Sequence, residues 1–130
     1  MIVLDTHVVV WLLSDSALLS GKARDTILQA RIDREALGYS VVTIYEISYA
    51  ARRNRLPLAS SVGEFVAAIE SKLVGIQLTS DIAQCAAALP EPFHGDPMDR
   101  IIAATAIAQD CMLITCDERM RSANVCKTIW

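Results

Sequence analysis

The sequence has little of what marks a disordered, secreted or membrane-bound chain. Four prolines and five glycines stand against a hydrophobic share of 53% in 130 residues, which excludes a low-complexity or disordered chain. No apolar run approaches the roughly 20 residues of a membrane span. The first apolar run meets an aspartate at position 5 with no basic residue ahead of it, so no secretory leader is expected. The four cysteines (Cys85, Cys111, Cys116, Cys126) contain no Cys-x-x-Cys pair; free thiols in a cytoplasmic protein are expected, in preference to disulfides or a zinc site. Basic residues are not in excess either. Twelve Lys and Arg face fifteen Asp and Glu, for a net charge of −3, so the chain as a whole is no nucleic-acid coat. Any RNA or DNA would have to be met by a local patch or through metal ions.

What is present reads as one domain over residues 1–130, long enough to bury about two thirds of its unfolded surface without staples. Positions 1–4 form a short apolar run, read as a buried strand ending at Asp5. Positions 8–13 read as helix, and 18–37 as a second helix with Ser20 as its cap and Gly38 as its stop. Positions 39–43 then give a second strand, rich in β-branched residues. Helix follows over 44–54, and again from a Ser61–Glu64 capping box to about 73. A third strand is expected at 75–79, then an alanine-rich helix at 80–89. In Asp96-Pro97-Met98-Asp99-Arg100, Asp96 suits an N-cap, Pro97 the first helical position and Asp99 the first turn. The helix it opens is apolar nearly all round, hence buried. A fourth strand at 112–116 runs toward Asp117, and 125–130 suits a last strand. Strands separated by helices imply parallel pairing through right-handed crossovers. The expected fold is three-layer α/β, with a central parallel sheet of four or five strands flanked by helices.

In such a sheet the carboxyl ends of all strands share one edge, where ligands bind. Asp5, Glu46, Asp81, Asp99 and Asp117 all fall toward that edge. Each alone can be explained as a helix cap or a first-turn acid, favoured by roughly 0.3–1 kcal/mol; Thr43-x-x-Glu46 reads as a capping box. Caps, however, need not sit side by side. Two carboxylates about 4 Å apart repel by roughly 4 kcal/mol at an effective dielectric of 20. Hard, oxygen-preferring Mg²⁺ or Mn²⁺ relieves that repulsion and suits phosphodiester chemistry. The residues alone thus point to a metal-dependent phosphodiesterase, and leave open which four of the five acids converge.

The ordered motifs extend over nearly the whole chain: Leu4-Asp5-Thr6-His7, Thr43-x-x-Glu46-Ile47, His94-x-Asp96-Pro97-Met98-Asp99-Arg100 and Leu113-Ile114-Thr115-x-Asp117-Glu118. In these the sequence resembles PIN-domain ribonucleases, specifically the VapC-like toxins of toxin–antitoxin pairs. Met98 and Tyr45 stand where that family often has phenylalanine and tryptophan. The resemblance implies a metal-dependent endoribonuclease in which Asp5, Glu46, Asp99 and Asp117 hold Mg²⁺ (or Mn²⁺) and serve catalysis, with Asp81 left out. It implies supporting roles for Thr6 and Thr115, as hydroxyls orienting a metal-bound water or an acid or simply as strand-end caps, and for Asp96 as a helix cap. It further implies an RNA substrate, a small cognate antitoxin, a homodimer and a cytoplasmic location with no membrane. The helices between 44 and 73 are a candidate dimer and antitoxin surface, though core packing explains them as well. His94 is open between a substrate contact and an internal hydrogen bond. Arg52, Arg53 and Arg55 are open between RNA phosphates and a solvated helix end, and Arg100 suggests an ion pair. The alternative function is an inactive PIN-like module that binds RNA or protein. A phosphatase wants Asp-x-Asp where this chain has Asp5-Thr6-His7. A phospho-acceptor domain wants a lysine after the third strand other than Lys127, which lies in the final one.

Overall fold

A computed structural model describes residues 1–91, 93 and 95–130. Among these, five strands alternate with seven helices: β1 (Ile2–Leu4), α1 (Thr6–Leu13), α2 (Gly21–Ile32), β2 (Leu37–Ser40), α3 (Val42–Arg52), α4 (Val62–Lys72), β3 (Val74–Ile76), α5 (Ser80–Ala88), α6 (Pro97–Ala108), β4 (Met112–Ile114), α7 (Glu118–Ser122) and β5 (Thr128–Ile129). The strands form one parallel sheet in the order β3-β2-β1-β4-β5. β1 is central because it is apolar on both faces: Ile2, Val3 and Leu4 are all buried. Alternation along it divides the core. Ile2 and Leu4 join Val8, Val9, Ile27, Ile47 and Ile69 from α1–α4, whereas Val3 joins Ile102, Ala103 and Ala106 of α6 and Met120 of α7. Ala104 packs α6 onto Ile82 and Ala86 of α5. The three-layer α/β architecture expected from the sequence is the one observed.

Several boundaries differ from the sequence expectation, each for a physical reason. The second helix stops at Ile32, not at position 37. Arg34 takes a left-handed turn at φ 58°, and the Glu35 N–H donates back to the Ala30 carbonyl at 2.8 Å. A non-glycine residue thus performs the termination expected of Gly38. Gly38 instead lies within β2, where a Cβ would come 3.0 Å from Ile76 Cδ1 and 3.1 Å from Met1 Sδ; close approach, not helix termination, is what suits glycine there.

β2 ends at Ser40, and Val42 and Thr43 already belong to α3. The β-branched run that suggested a strand is overruled by its packing, with Val42 against the α6 core and Thr43 fully buried. Two corrections follow. Val41 occupies the cap position with no side-chain cap hydrogen bond, so Thr43 and Glu46 make no capping box. Glu46 also lies beyond the first turn of α3, not within it.

Other local signals hold. Ser20 caps α2, and the Ser61–Glu64 box is complete. Asp96 caps α6 with Pro97 at its start, and Ile102–Ala106 of that helix are buried. All four cysteines are free and half-buried. Arg100 does something the sequence did not suggest: its guanidinium donates to the carbonyls of Ala86 (2.9 Å), Leu89 (2.8 Å), Phe93 (3.3 Å) and Ala87 (3.4 Å). It therefore ties the start of α6 to the open C-terminal end of α5. Among the described residues no helix is long and apolar enough to cross a membrane.

Candidate active site

Pairing of Leu4 with Ile114 and of Ser40 with Ile76 levels the carboxyl ends of β1, β4, β2 and β3 along one edge. The chain leaves β1 at Asp5, whose φ/ψ of −67°/156° make it the N-cap of α1. One carboxylate oxygen accepts from the Thr6 N–H at 2.7 Å, and the other from the Thr115 hydroxyl at 2.7 Å. Asp5 is 2% exposed. Burial pushes its carboxyl above the usual aspartate range; Thr115, His7 and the Thr6 amide pull it partly back, and Asp117 pushes it up again.

Glu46 reaches the same edge from the second turn of α3. Its Oε1 accepts from the Thr6 hydroxyl at 2.5 Å, and that hydroxyl also meets Thr43 Oγ1 at 3.1 Å. Burial raises its pKa, the Thr6 hydrogen bond opposes this, and the charges of Asp5 and Asp96 add to the rise. Asp99 sits in the first turn of α6, its N–H 3.4 Å from the capping Asp96 carboxylate. Its carboxyl is pushed from 3.8 up to about 7, by burial first and then by Asp5, Asp96, Glu46 and Asp117.

Asp117 caps α7, accepting from the N–H groups of Arg119 (2.7 Å) and Met120 (3.3 Å), with Arg119 Nη2 at 3.3 Å. Burial raises its pKa, but these donors and the Arg119 charge outweigh burial and hold it below the usual value. Thr115 joins the two strand ends. Fully buried, it donates to Asp5 and accepts from the Asp117 N–H at 3.1 Å.

Four carboxylates from four elements thus act on Asp99 or on one another, and Asp96 adds its charge to theirs. Asp81 is apart from them: it lies exposed in the first turn of α5, beyond edge strand β3. His94 falls outside the described residues. Arg52, Arg53 and Arg55 are exposed at and beyond the end of α3, with Arg53 stacked 4.7 Å over the Tyr49 ring.

The all-oxygen donor set and the mutual repulsion of its members fit a hard divalent cation. Softer donors stand beside it. An oxygen of Asp5, a ring nitrogen of His7 and Sγ of Cys116 all lie within 4.8 Å of one another. Sequence reasoning passed over His7 and Cys116, because their spacing matches no ligand motif; only their adjacency to Asp5 and Asp117 could have flagged them. It also passed over Ser40, whose fully buried hydroxyl at the end of β2 has no hydrogen-bond partner.

A family model described as PIN domain matches residues 2–125. Ribonuclease VapC22 of Mycobacterium tuberculosis (strain ATCC 25618 / H37Rv) is 33% identical over 121 residues, covering 93% of this chain and 90% of that protein. Among solved structures, a chain of VapBC2 from Rickettsia felis, bound to a DNA fragment from their promoter, superposes with a TM-score of 0.74 at 15% identity, covering 99% of this chain and 98% of that one. A chain of a toxin–antitoxin complex from Klebsiella pneumoniae gives 0.68 at 21% identity, covering 100% and 97%.

Proposed function

The chain belongs to the PIN-domain family and is VapC-like, and from that premise we propose that it is a metal-dependent endoribonuclease, the toxin of a toxin–antitoxin pair. Asp5, Glu46, Asp99 and Asp117 would hold Mg²⁺ or Mn²⁺. The observation that carries this reading is the convergence of four carboxylates on one sheet edge, close enough that burial and the charges of Asp5, Asp96, Glu46 and Asp117 push the Asp99 carboxyl up. A set of acids held in each other's field is costly without a cation and useful with one.

When bound, the cation lowers the pKa of a coordinated water and stabilises charge developing on a phosphodiester. The chain's own residues do the positioning. The Thr6 hydroxyl fixes Glu46. Thr115 fixes Asp5 through its side chain and Asp117 through its backbone. The Asp96 cap and the Arg100 grip on α5 hold the first turn of α6, and with it Asp99. RNA is the substrate in this reading, in keeping with the ribonuclease to which the chain is similar. A small antitoxin would neutralise it, as the complexes among the similar structures suggest. Exposed Tyr45 and Tyr49, stacked on α3 at 5.8 Å, offer an apolar surface for that partner or for a second copy in a homodimer. The cytoplasm, where RNA is encountered, is the compartment of action.

The test is RNA cleavage with Mg²⁺, with EDTA, and in Asp5→Asn and Asp99→Asn variants that remain folded by circular dichroism. Metal-dependent product lost in both variants is the expected result. Full activity retained in both would sink the mechanism, and RNA bound without product under any condition would favour a binding module.

A further inference from the structure

We propose that Asp5, His7 and Cys116 form a second metal site, for a thiophilic divalent ion such as Zn²⁺, and that its occupancy removes Asp5 from the acidic cluster and switches the nuclease off. The effect on activity rests on the function proposed above; the binding itself does not.

The parallel pairing of β1 with β4 places the chain just past Leu4 beside the chain just past Ile114. Asp5 and His7 therefore face Cys116 across adjacent strand ends, with one ligating atom from each inside a 4.8 Å envelope. Neither His7 nor Cys116 is committed to the core: His7 is exposed and Cys116 half-buried. Donor chemistry separates this trio from the carboxylates around it. Thiolate and imidazole select Zn²⁺ over Mg²⁺, which prefers oxygen alone. Three protein ligands leave a fourth tetrahedral position for water. Bonds of about 2.3 Å to sulfur and about 2.1 Å to nitrogen and oxygen set the donors roughly 3.5 Å apart. The trio must therefore close by about 1 Å, which rotation of the exposed His7 ring can supply.

Asp5 is the anchor, because its carboxylate is already held by the Thr6 N–H and the Thr115 hydroxyl, and each oxygen keeps a lone pair to share. Binding displaces the Cys116 thiol proton to solvent, with no change in oxidation state. The same carboxylate cannot serve both ions in full. A bound dication would also face the acidic cluster's own cation at short range. Soft metal and hard metal therefore compete.

Co²⁺ titrated into the full-length protein is the direct probe, since a thiolate ligand gives a sulfur-to-cobalt charge-transfer band that oxygen ligands do not. The wild type is expected to show the band, Zn²⁺ to abolish it, and Cys116→Ser to lack it. With RNA and Mg²⁺, low Zn²⁺ should inhibit the wild type. Cys116→Ser should keep its Mg²⁺-supported cleavage and need roughly tenfold more Zn²⁺ or above, the loss that follows even from removing a supporting partner of a metal ligand. No band in the wild type, or the same band in Cys116→Ser, overturns the site. A band together with equal Zn²⁺ inhibition of both proteins overturns the switch. If the wild type cuts no RNA, the nuclease reading falls while the cobalt band still decides the site.

Discussion

Replacing Asp99 by asparagine should make the metal-free protein more stable, by a margin that opens above about pH 4 and is complete above about pH 7. The Asp99 carboxyl lies at about 7 in the folded chain against 3.8 for an unperturbed aspartate. The folded state therefore holds this proton more tightly than the unfolded state. Stability linked to it is fully present below about pH 4, falls as pH rises through about 7, and is level above that. At 1.36 kcal/mol per pH unit the difference amounts to ~4 kcal/mol. Asp99 is only half-buried, so solvent screening reduces this to about 2 kcal/mol. Asparagine keeps the shape and drops the charge, and it also removes one repulsive partner of Asp5 and Glu46. In EDTA at pH 8, Asp99→Asn should melt roughly 6–10 °C above the wild type, and the two melting points should converge near pH 4. Adding Mg²⁺ at pH 8 should raise the wild-type melting point and move the variant's much less. Thermal melts followed by circular dichroism from pH 4 to 8 would settle the matter. A variant equal to or less stable than the wild type at pH 8 refutes the claim that the cluster is strained by its own charge.

The hydrogen bonds of Thr115 give a second expectation. Thr115→Val keeps the volume but removes the donor to Asp5 and the acceptor for the Asp117 N–H, so urea unfolding should register a loss of about 2–3 kcal/mol. Ser40→Ala should do the opposite of most core substitutions. Its hydroxyl is buried without a partner, and its removal should leave stability unchanged or raise it by up to about 1 kcal/mol in the same assay.

Much of the fold is written locally and can be read without coordinates. The Asp96-Pro97 start of α6, the Ser20 cap and the Ser61–Glu64 box are contacts over three residues or fewer, and each forms as its sequence indicates. The boundaries that escaped are decided by an unannounced local turn or by distant residues. Arg34 takes a left-handed conformation that glycine or asparagine would more readily announce. Val42 and Thr43 carry strand propensity, yet packing against the α6 core folds them into helix. Gly38 reads as a helix stop until Ile76 and Met1 are seen crowding its α-carbon.

The site divides the same way, and the division bears on how it works. Asp5, Asp99 and Asp117 are placed by local rules, each in a cap or first turn at a strand edge. Glu46 is not. It sits past the first turn of α3, and at the edge its carboxylate is held by a hydrogen bond donated from the Thr6 hydroxyl, forty residues earlier, which also meets Thr43 Oγ1. Thr115 likewise reaches Asp5 across 110 positions and couples it to Asp117. Local signals thus set three acids on the edge; the Thr115 hydroxyl ties Asp5 to Asp117, the Thr6 hydroxyl holds Glu46, and Asp99 is joined to them through their charges. A carboxylate at a helix start has a pattern of its own, whereas a threonine at a strand end has none, so the supporting roles of Thr6 and Thr115 come only from the family resemblance; both hydroxyls do donate to acids. Cys116 and His7 are given a role by neither pattern nor resemblance. They matter, if the cobalt band appears, only because Thr115 and Thr6 beside them hold Asp5 where both can reach it.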